Sequence, residues 1–268
     1  MIYVTGDLHG EVDIEKLSNK NWASAKETTD KDYLIILGDF GLPFLDKEIN
    51  EDGTPAKGPY KYWIEWLASK PYTILWVDGN HDNHPFWNRQ EVSEWHGGKV
   101  HIHPHAKNII HLMRGEIYDI EDKKYFAFGG APSHDKGCRI EGRDWWPEEE
   151  ASREETEHAI SNLEKCGNQV DYILTHTIPK DVIAKKFFSD SESYTEKFFQ
   201  HIKDTVDYKM WFAGHFHVNS MYPEYKLYVL YNSVYTIDQC VKRLDDYNKM
   251  LESGFYKNCG KQVLTPER

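Results

Sequence analysis

Cysteine is scarce in this chain: four among 268 residues, at positions 138, 166, 240 and 259, with no C-x-x-C pair. That spacing gives neither a thiolate zinc site nor a disulfide framework, so the four read as ordinary thiols in a reducing, cytoplasmic setting. Long apolar runs are missing too. No stretch approaches the roughly 20 residues that a membrane-spanning helix needs, and the chain opens on a strand-like Ile2-Tyr3-Val4-Thr5 rather than a charged segment followed by an apolar one. Basic residues are in deficit, 32 Lys and Arg against 44 Asp and Glu, for a net charge of −12. An extended nucleic-acid surface is therefore not expected, because phosphate neutralisation supplies most non-specific affinity. There is no internal repeat and no low-complexity tract.

What the chain has is core material and histidine. Forty per cent of residues are hydrophobic and 14% aromatic, enough for a sizeable core, and 14 are His. Short apolar runs at Ile2 to Thr5, Tyr33 to Leu37, Thr73 to Val77, Tyr172 to Thr175 and Met210 to Ala213 have the length and β-branched content of strands buried on both faces. Between them lie helical patterns. Tyr60, Trp63, Ile64 and Leu67 share a face after Pro59; Pro147 and three glutamates mark a second helix start; Tyr194 to Val206 makes a third. Strand-like pieces from Lys99 to Gly130 without a helix between them argue against a (β/α)₈ barrel and for a second sheet packed on the first. The expected organisation is one domain over 1–253 with a loosely ordered tail over 254–268.

Each of the five core strands runs into metal-ligand residues. They read Gly6-Asp7-Leu8-His9-Gly10, Gly38-Asp39-Phe40-Gly41, Gly79-Asn80-His81-Asp82, Thr175-His176-Thr177 and Gly214-His215-Phe216-His217. In open α/β sheets a site forms outside the carboxyl ends of the strands, so the five tips should converge. An i, i+2 spacing in extended backbone puts Asp7 with His9, and His215 with His217, on one side. Two Asp, one Asn and four His with no Cys suit borderline divalent metals such as Mn²⁺, Fe²⁺ or Zn²⁺. Seven ligands exceed what one ion takes, and a two-metal centre with ions about 3.5–4 Å apart is the economical solution.

D-x-H, G-D, G-N-H-D, H and G-H-x-H in this order resemble the calcineurin-like metallophosphoesterase family, in its phosphodiesterase-like branch with G-H-x-H. The resemblance implies an α/β fold of two mixed β-sheets packed as a sandwich flanked by α-helices, with a dinuclear site at the strand tips. Carried over by position, it implies one metal on Asp7, His9 and His217, a second on Asn80, His176 and His215, and Asp39 as bridge. His81 would face the scissile phosphate as general acid or charge stabiliser, with Asp82 holding its imidazolium form. Two cations sharing a water would then supply the attacking hydroxide. Protein phosphatases of the family continue their second motif with Asp-Arg-Gly; Gly38-Asp39-Phe40-Gly41-Leu42-Pro43 departs from that branch.

The loop from Gly129 to Pro147 carries Arg139, Arg143, Trp145 and Trp146. One of the two Arg is expected at the substrate phosphate, and the Trp pair either meets a base or sugar face or covers the start of the next helix. His134 and Asp135 lie in the same loop. The alternating His101, His103, His105 and His111 fall outside the family motifs and read as solvated or edge histidines. The expected function is metal-dependent hydrolysis of a phosphodiester or small phosphomonoester, nucleotide-like in kind. The alternatives are a nuclease for single-stranded or branched nucleic acid and a non-catalytic scaffold of the same fold.

Overall fold

The computed structural model describes residues 1–51 and 54–253; the expected tail over 254–268 lies outside the described residues. Thirteen strands among the described residues form two mixed sheets. The first contains β1 (Ile2–Thr5), β2 (Tyr33–Leu37), β3 (Thr73–Val77), β4 (Val92–Trp95), β5 (Gly98–Ile102), β6 (Ile109–Leu112) and β13 (Tyr235–Thr236), in the order β13-β1-β2-β3-β6-β5-β4. The second contains β7 (Glu116–Ile120), β8 (Lys123–Phe128), β9 (Tyr172–Thr175), β10 (Met210–Ala213), β11 (Ser220–Tyr222) and β12 (Leu227–Val229), in the order β11-β12-β10-β9-β8-β7. Strands β1, β2, β3 and β6 run parallel, as do β8, β9, β10 and β12, and antiparallel strands flank both sets.

The alternation of side chains along each strand sorts the core into three layers. Ile35, Leu37, Leu75 and Val77 of the first sheet meet Ala127, Leu174, Met210 and Phe212 of the second in the central layer. Leu34, Ile36, Ile74 and Trp76 point outward onto Tyr60, Ile64 and Leu67 of α1 (Pro59–Ala68) and Trp87 of α2 (His84–Asn88). Ile173, Trp211 and Ala213 face α3 (Arg153–Lys165), α4 (Lys180–Lys186) and α5 (Tyr194–Thr205). Helix α6 (Ile237–Glu252) adds Ile237 and Cys240 to the central layer. Each fully buried aliphatic contributes roughly 1.5–3 kcal/mol, so both faces of these strands are used.

The five strands read from the apolar runs span the stated residues. Their division differs from expectation: β9 and β10 belong to the second sheet, and the stretch from Lys99 to Gly130 splits, β5 and β6 joining the first sheet and β7 and β8 the second. The helix expected at Pro147 is a short 3₁₀ turn over Pro147–Glu149; α3 begins at Arg153, capped by Ser152, whose hydroxyl accepts from the Glu155 N–H in a capping box. The glutamates before it are used elsewhere, Glu149 on Ser133 and Glu150 on Ser193 and Thr195. The histidines read as solvated are mostly buried. His103 meets Tyr60 Oη at 2.9 Å, and His111 reaches Asp78 at 3.2 Å and lies parallel to His101.

Candidate metal centre

The tips of β1, β2, β3, β9 and β10 meet at one end of the sandwich, and a glycine precedes the first site residue on four of them. A Cβ on Gly38 would fall 2.0 Å from Nδ1 of His176, and one on Gly214 would fall 2.2 Å from Oδ1 of Asp7. These glycines leave room for a side chain arriving from another strand. His9, Asp39, His215 and His217 adopt left-handed backbone with φ of 46°, 47°, 67° and 51°. Such conformations cost about 1–3 kcal/mol each in a non-glycine residue and persist where the surroundings fix them.

All seven expected ligands come together. Asp7, His9 and His217 have ligand atoms within 4.8 Å of one another, and Nε2 of His217 stands 3.2 Å from Oδ2 of Asp7. On the other side, Nε2 of His176 lies 3.1 Å from Oδ1 of Asn80 and 3.3 Å from Nδ1 of His215. Asp39 stands between the two groups, with Oδ2 3.1 Å from Nε2 of His9 and Oδ1 3.3 Å from Nε2 of His176. The backbone N–H of His215 donates to both oxygens of Asp7, at 2.9 and 3.1 Å.

The charges show what this cluster needs. Asp7 and Asp39 are 0% and 1% exposed, and among the described residues no Lys or Arg forms an ion pair with either. Burial disfavours the charged form of His176, but the Asp39 carboxylate outweighs it and lifts the pKa to about 10. His9 is raised to about 9, burial again being overcome by Asp39. Burial holds His215 well below its ordinary value, with His176 adding to the effect. Two buried carboxylates that recruit protons onto neighbouring imidazoles are short of positive charge, and the oxygen and nitrogen donors fit divalent cations. Among the described residues, no ligand group of this kind includes His101, His103, His105 or His111.

His81 joins His9 and Asp39 in a second group of possible ligand atoms, and its backbone N–H donates to Oδ1 of Asp39 at 2.7 Å. Its pKa is lowered, by burial first, with Asp39 opposing and Arg139 reinforcing. Asp82 turns away from this ring. Its carboxylate is 1% exposed and accepts from the amides of Gly41 and Gly79, both at 2.7 Å, and of Phe40 at 3.3 Å, so it ties the β2 and β3 tips together. Burial, then the nearby Asp39, pushes its pKa up to about 7.

A cleft of about 440 Å³ opens beside His9 and His81, with Leu42, Phe44, Tyr60 and Arg139 in its walls. Arg139 is braced there by Asp135 at 2.8 Å and the Asp144 carbonyl at 3.1 Å. Arg143 is not brought to the centre: it pairs with Asp144 and lines a separate surface depression with Phe44 and Lys47. Trp146 is buried edge-on against Phe44 and so packs the loop, while Trp145 is half-buried with its indole nitrogen shielded from solvent. The exposed His134 ring comes within 6.0 Å of His215.

Several residues here carry no motif signal. Asp13 accepts from Nδ1 of His9 at 2.7 Å. Ser133 accepts from Nδ2 of Asn80 at 3.1 Å and donates to Glu149 at 2.6 Å, which aims the Asn80 carbonyl at the centre. The Leu37 carbonyl takes Nδ1 of His176 at 2.7 Å. The i, i+4 spacing of His9 and Asp13 is the one local sequence signal among these, and the rest are long-range contacts.

The calcineurin-like phosphoesterase profile matches residues 1–219 of the chain. The chain belongs to the calcineurin-like phosphoesterase family. An uncharacterized protein of Acanthamoeba polyphaga mimivirus, L509, is 29% identical over 129 residues, or 45% of this chain; the match spans 40% of that relative's length. Among solved structures, a Staphylococcus aureus protein named for 5′-nucleotidase activity and crystallised with α-ketoglutarate aligns over 92% of this chain and 58% of its own. Its TM-score is 0.46 at 13% identity. A second solved structure aligns over 85% of this chain and 88% of its own, with TM-score 0.48 and 11% identity. Members of this phosphoesterase family hydrolyse phosphate esters with divalent metals, and this chain has Asp and His groups able to hold them.

Proposed function

We propose that the chain is a metal-dependent phosphohydrolase acting on a phosphodiester or a small phosphomonoester of nucleotide kind. Asp7, His9 and His217 would hold one divalent cation, Asn80, His176 and His215 a second, and Asp39 would touch both. The observation that carries this is the placing of the two Asp39 oxygens, one facing His9 and the other His176. Bound cations would activate water and neutralise phosphoryl charge. The chain's own residues position the ester. Arg139, fixed by Asp135, offers guanidinium N–H groups to a phosphoryl oxygen at the cleft mouth. His81, neutral in the free protein because its pKa is lowered, donates an N–H toward the phosphoryl or leaving oxygen. Asp82 would act through the backbone, keeping the β2 and β3 tips in register rather than charging His81.

The cleft supports a small substrate. Its walls include Glu11 and Glu48, with Arg139 as their cationic side chain, a poor match for a long polyanion. The test is metal content together with hydrolysis of p-nitrophenyl phosphate and bis-p-nitrophenyl phosphate under added Mn²⁺, Fe²⁺ or Zn²⁺. Two ions per chain and turnover of at least one ester are expected, the rate ratio separating diesterase from monoesterase. A folded chain that binds these metals and turns over neither ester would instead be a scaffold.

A further inference from the structure

The first half of the centre is backed by residues the second half does not use. Asp13 Oδ2 lies 2.7 Å from Nδ1 of His9. A carboxylate there fixes the proton on Nδ1 and leaves Nε2 as the ligand atom. Both oxygens of Asp13 also receive the Tyr231 hydroxyl, at 3.2 Å. The Tyr231 ring lies flat on the His217 imidazole, centroids 4.6 Å apart and planes 13° from parallel. One tyrosine therefore touches His217 with its face and, through Asp13, orients His9.

Lys16 anchors this tyrosine to Asp7. Its ammonium, on a residue 8% exposed, donates to the carbonyls of Tyr231 at 2.8 Å, of Gly6 at 3.0 Å and of Asp7. All three donors are used on backbone, and among the described residues Lys16 forms no ion pair with a carboxylate. Asp7, His9 and His217 are thus held by one connected set. Asn80 and His176 are held by Ser133, Glu149 and the Leu37 carbonyl.

We propose that Asp13 and Tyr231, anchored by Lys16, are positioning residues that set the cation affinity of the Asp7, His9 and His217 half more than that of the other half, to which Asp39 and the His215 N–H on Asp7 still couple it. This rests on the two-cation reading above. Removing such an outer partner of a metal ligand typically lowers affinity 10–100-fold. The network predicts that this loss falls mainly on one of the two cations.

The experiment is equilibrium titration of the full chain with Mn²⁺, read by bound-metal analysis and by electron paramagnetic resonance, which separates lone from paired Mn²⁺. His217→Ala and His176→Ala identify which binding step belongs to which half. Asp13→Asn and Tyr231→Phe should each weaken the step lost in His217→Ala by roughly 10–100-fold and leave lone Mn²⁺ at concentrations that pair it in the wild type. Ser133→Ala should weaken the other step. Urea midpoints in chelator check that each variant folds, and Tyr231→Phe keeps the ring on His217 while removing only the hydroxyl. If both steps weaken equally in folded Asp13→Asn and Tyr231→Phe, or neither moves, the network is structural and the proposal is overturned. Wild-type chain that binds no Mn²⁺, or one ion alone, overturns the two-cation reading itself.

Discussion

At the scale of single residues, the ligand types were readable because metal chemistry permits few substitutes, whereas the groups that aim them were not. Any carboxylate near a histidine in sequence is a candidate partner, which is why Asp82 reads as the companion of His81. The fold instead spends it on three backbone amides. Asp82→Ala should destabilise the protein by about 2–3 kcal/mol, since buried N–H groups left without acceptors carry their desolvation cost; a urea titration measures it. The two arginines of the loop separate by their bracing. Arg139→Ala should lower kcat/KM for p-nitrophenyl phosphate by about tenfold or more, consistent with a charged hydrogen bond of about 1.5–3 kcal/mol, while Arg143→Ala should change it less than twofold. Equal losses would remove Arg139 from the substrate phosphate. His81→Ala should keep both metals and lose most turnover, and loss of the metals from a folded variant would make His81 a ligand.

At the scale of elements, the core strands are legible to the residue because both faces are apolar and glycines close four of the five. Neighbouring strands were harder: nothing local in Val100 or Tyr118 says which sheet it will join, and that choice is made by pairing across the chain. The start of α3 departs from the sequence expectation for a related reason. Acids after a proline resemble a first helical turn, yet Glu149 is drawn inward by Ser133, and the capping box lies at Ser152. The strand-tip glycines carry their own prediction. Gly38→Ala would drive a methyl group into His176 and force a φ of 96° on a residue that disfavours it. Metal binding should fall more than thermal stability measured in chelator, and an alanine variant with wild-type metal content would show that the tip has room to spare.

One buried ion pair ties elements of both sheets to α3. Arg114 meets Asp78, beyond the β3 end, at 2.9 Å through Nε and also contacts Glu155. Burial alone would raise the Asp78 pKa, but Arg114 together with His111 and His84 outweighs it and holds the carboxyl far below the usual carboxylate range. A depressed acid contributes stability above its unfolded pKa, near 3.9, and loses it as pH falls toward the folded value. Asp78→Asn should therefore cost about 3 kcal/mol at pH 5 to 7, and the gap to wild type should narrow below about pH 4 in urea titrations across that range. A gap that widens in acid would reverse the assignment of the pair as the cause.

At the scale of the whole molecule, the net charge of −12 is unevenly distributed, with two aspartates sealed at the proposed cation site. Ligands that bind only the folded state stabilise it, by about 2.7 kcal/mol when present at a hundred times their Kd. Chelator should then lower Tm by roughly 5–10 °C, and Mn²⁺ should restore it. None of the described helices is long and apolar enough to cross a membrane.

The two sheets share the centre unequally along the chain. Asp7, His9, Asp39 and Asn80 come from the first sheet's strand tips, and His176, His215 and His217 follow β9 and β10 of the second. In the proposed ligand set, each cation draws on both. As the polypeptide emerges from the ribosome, neither three-ligand set exists until residue 215 is out, and the first is complete only at His217. Uptake of either cation would thus wait until strands of both sheets have been made, so that metal binding reports on the joining of the two sheets.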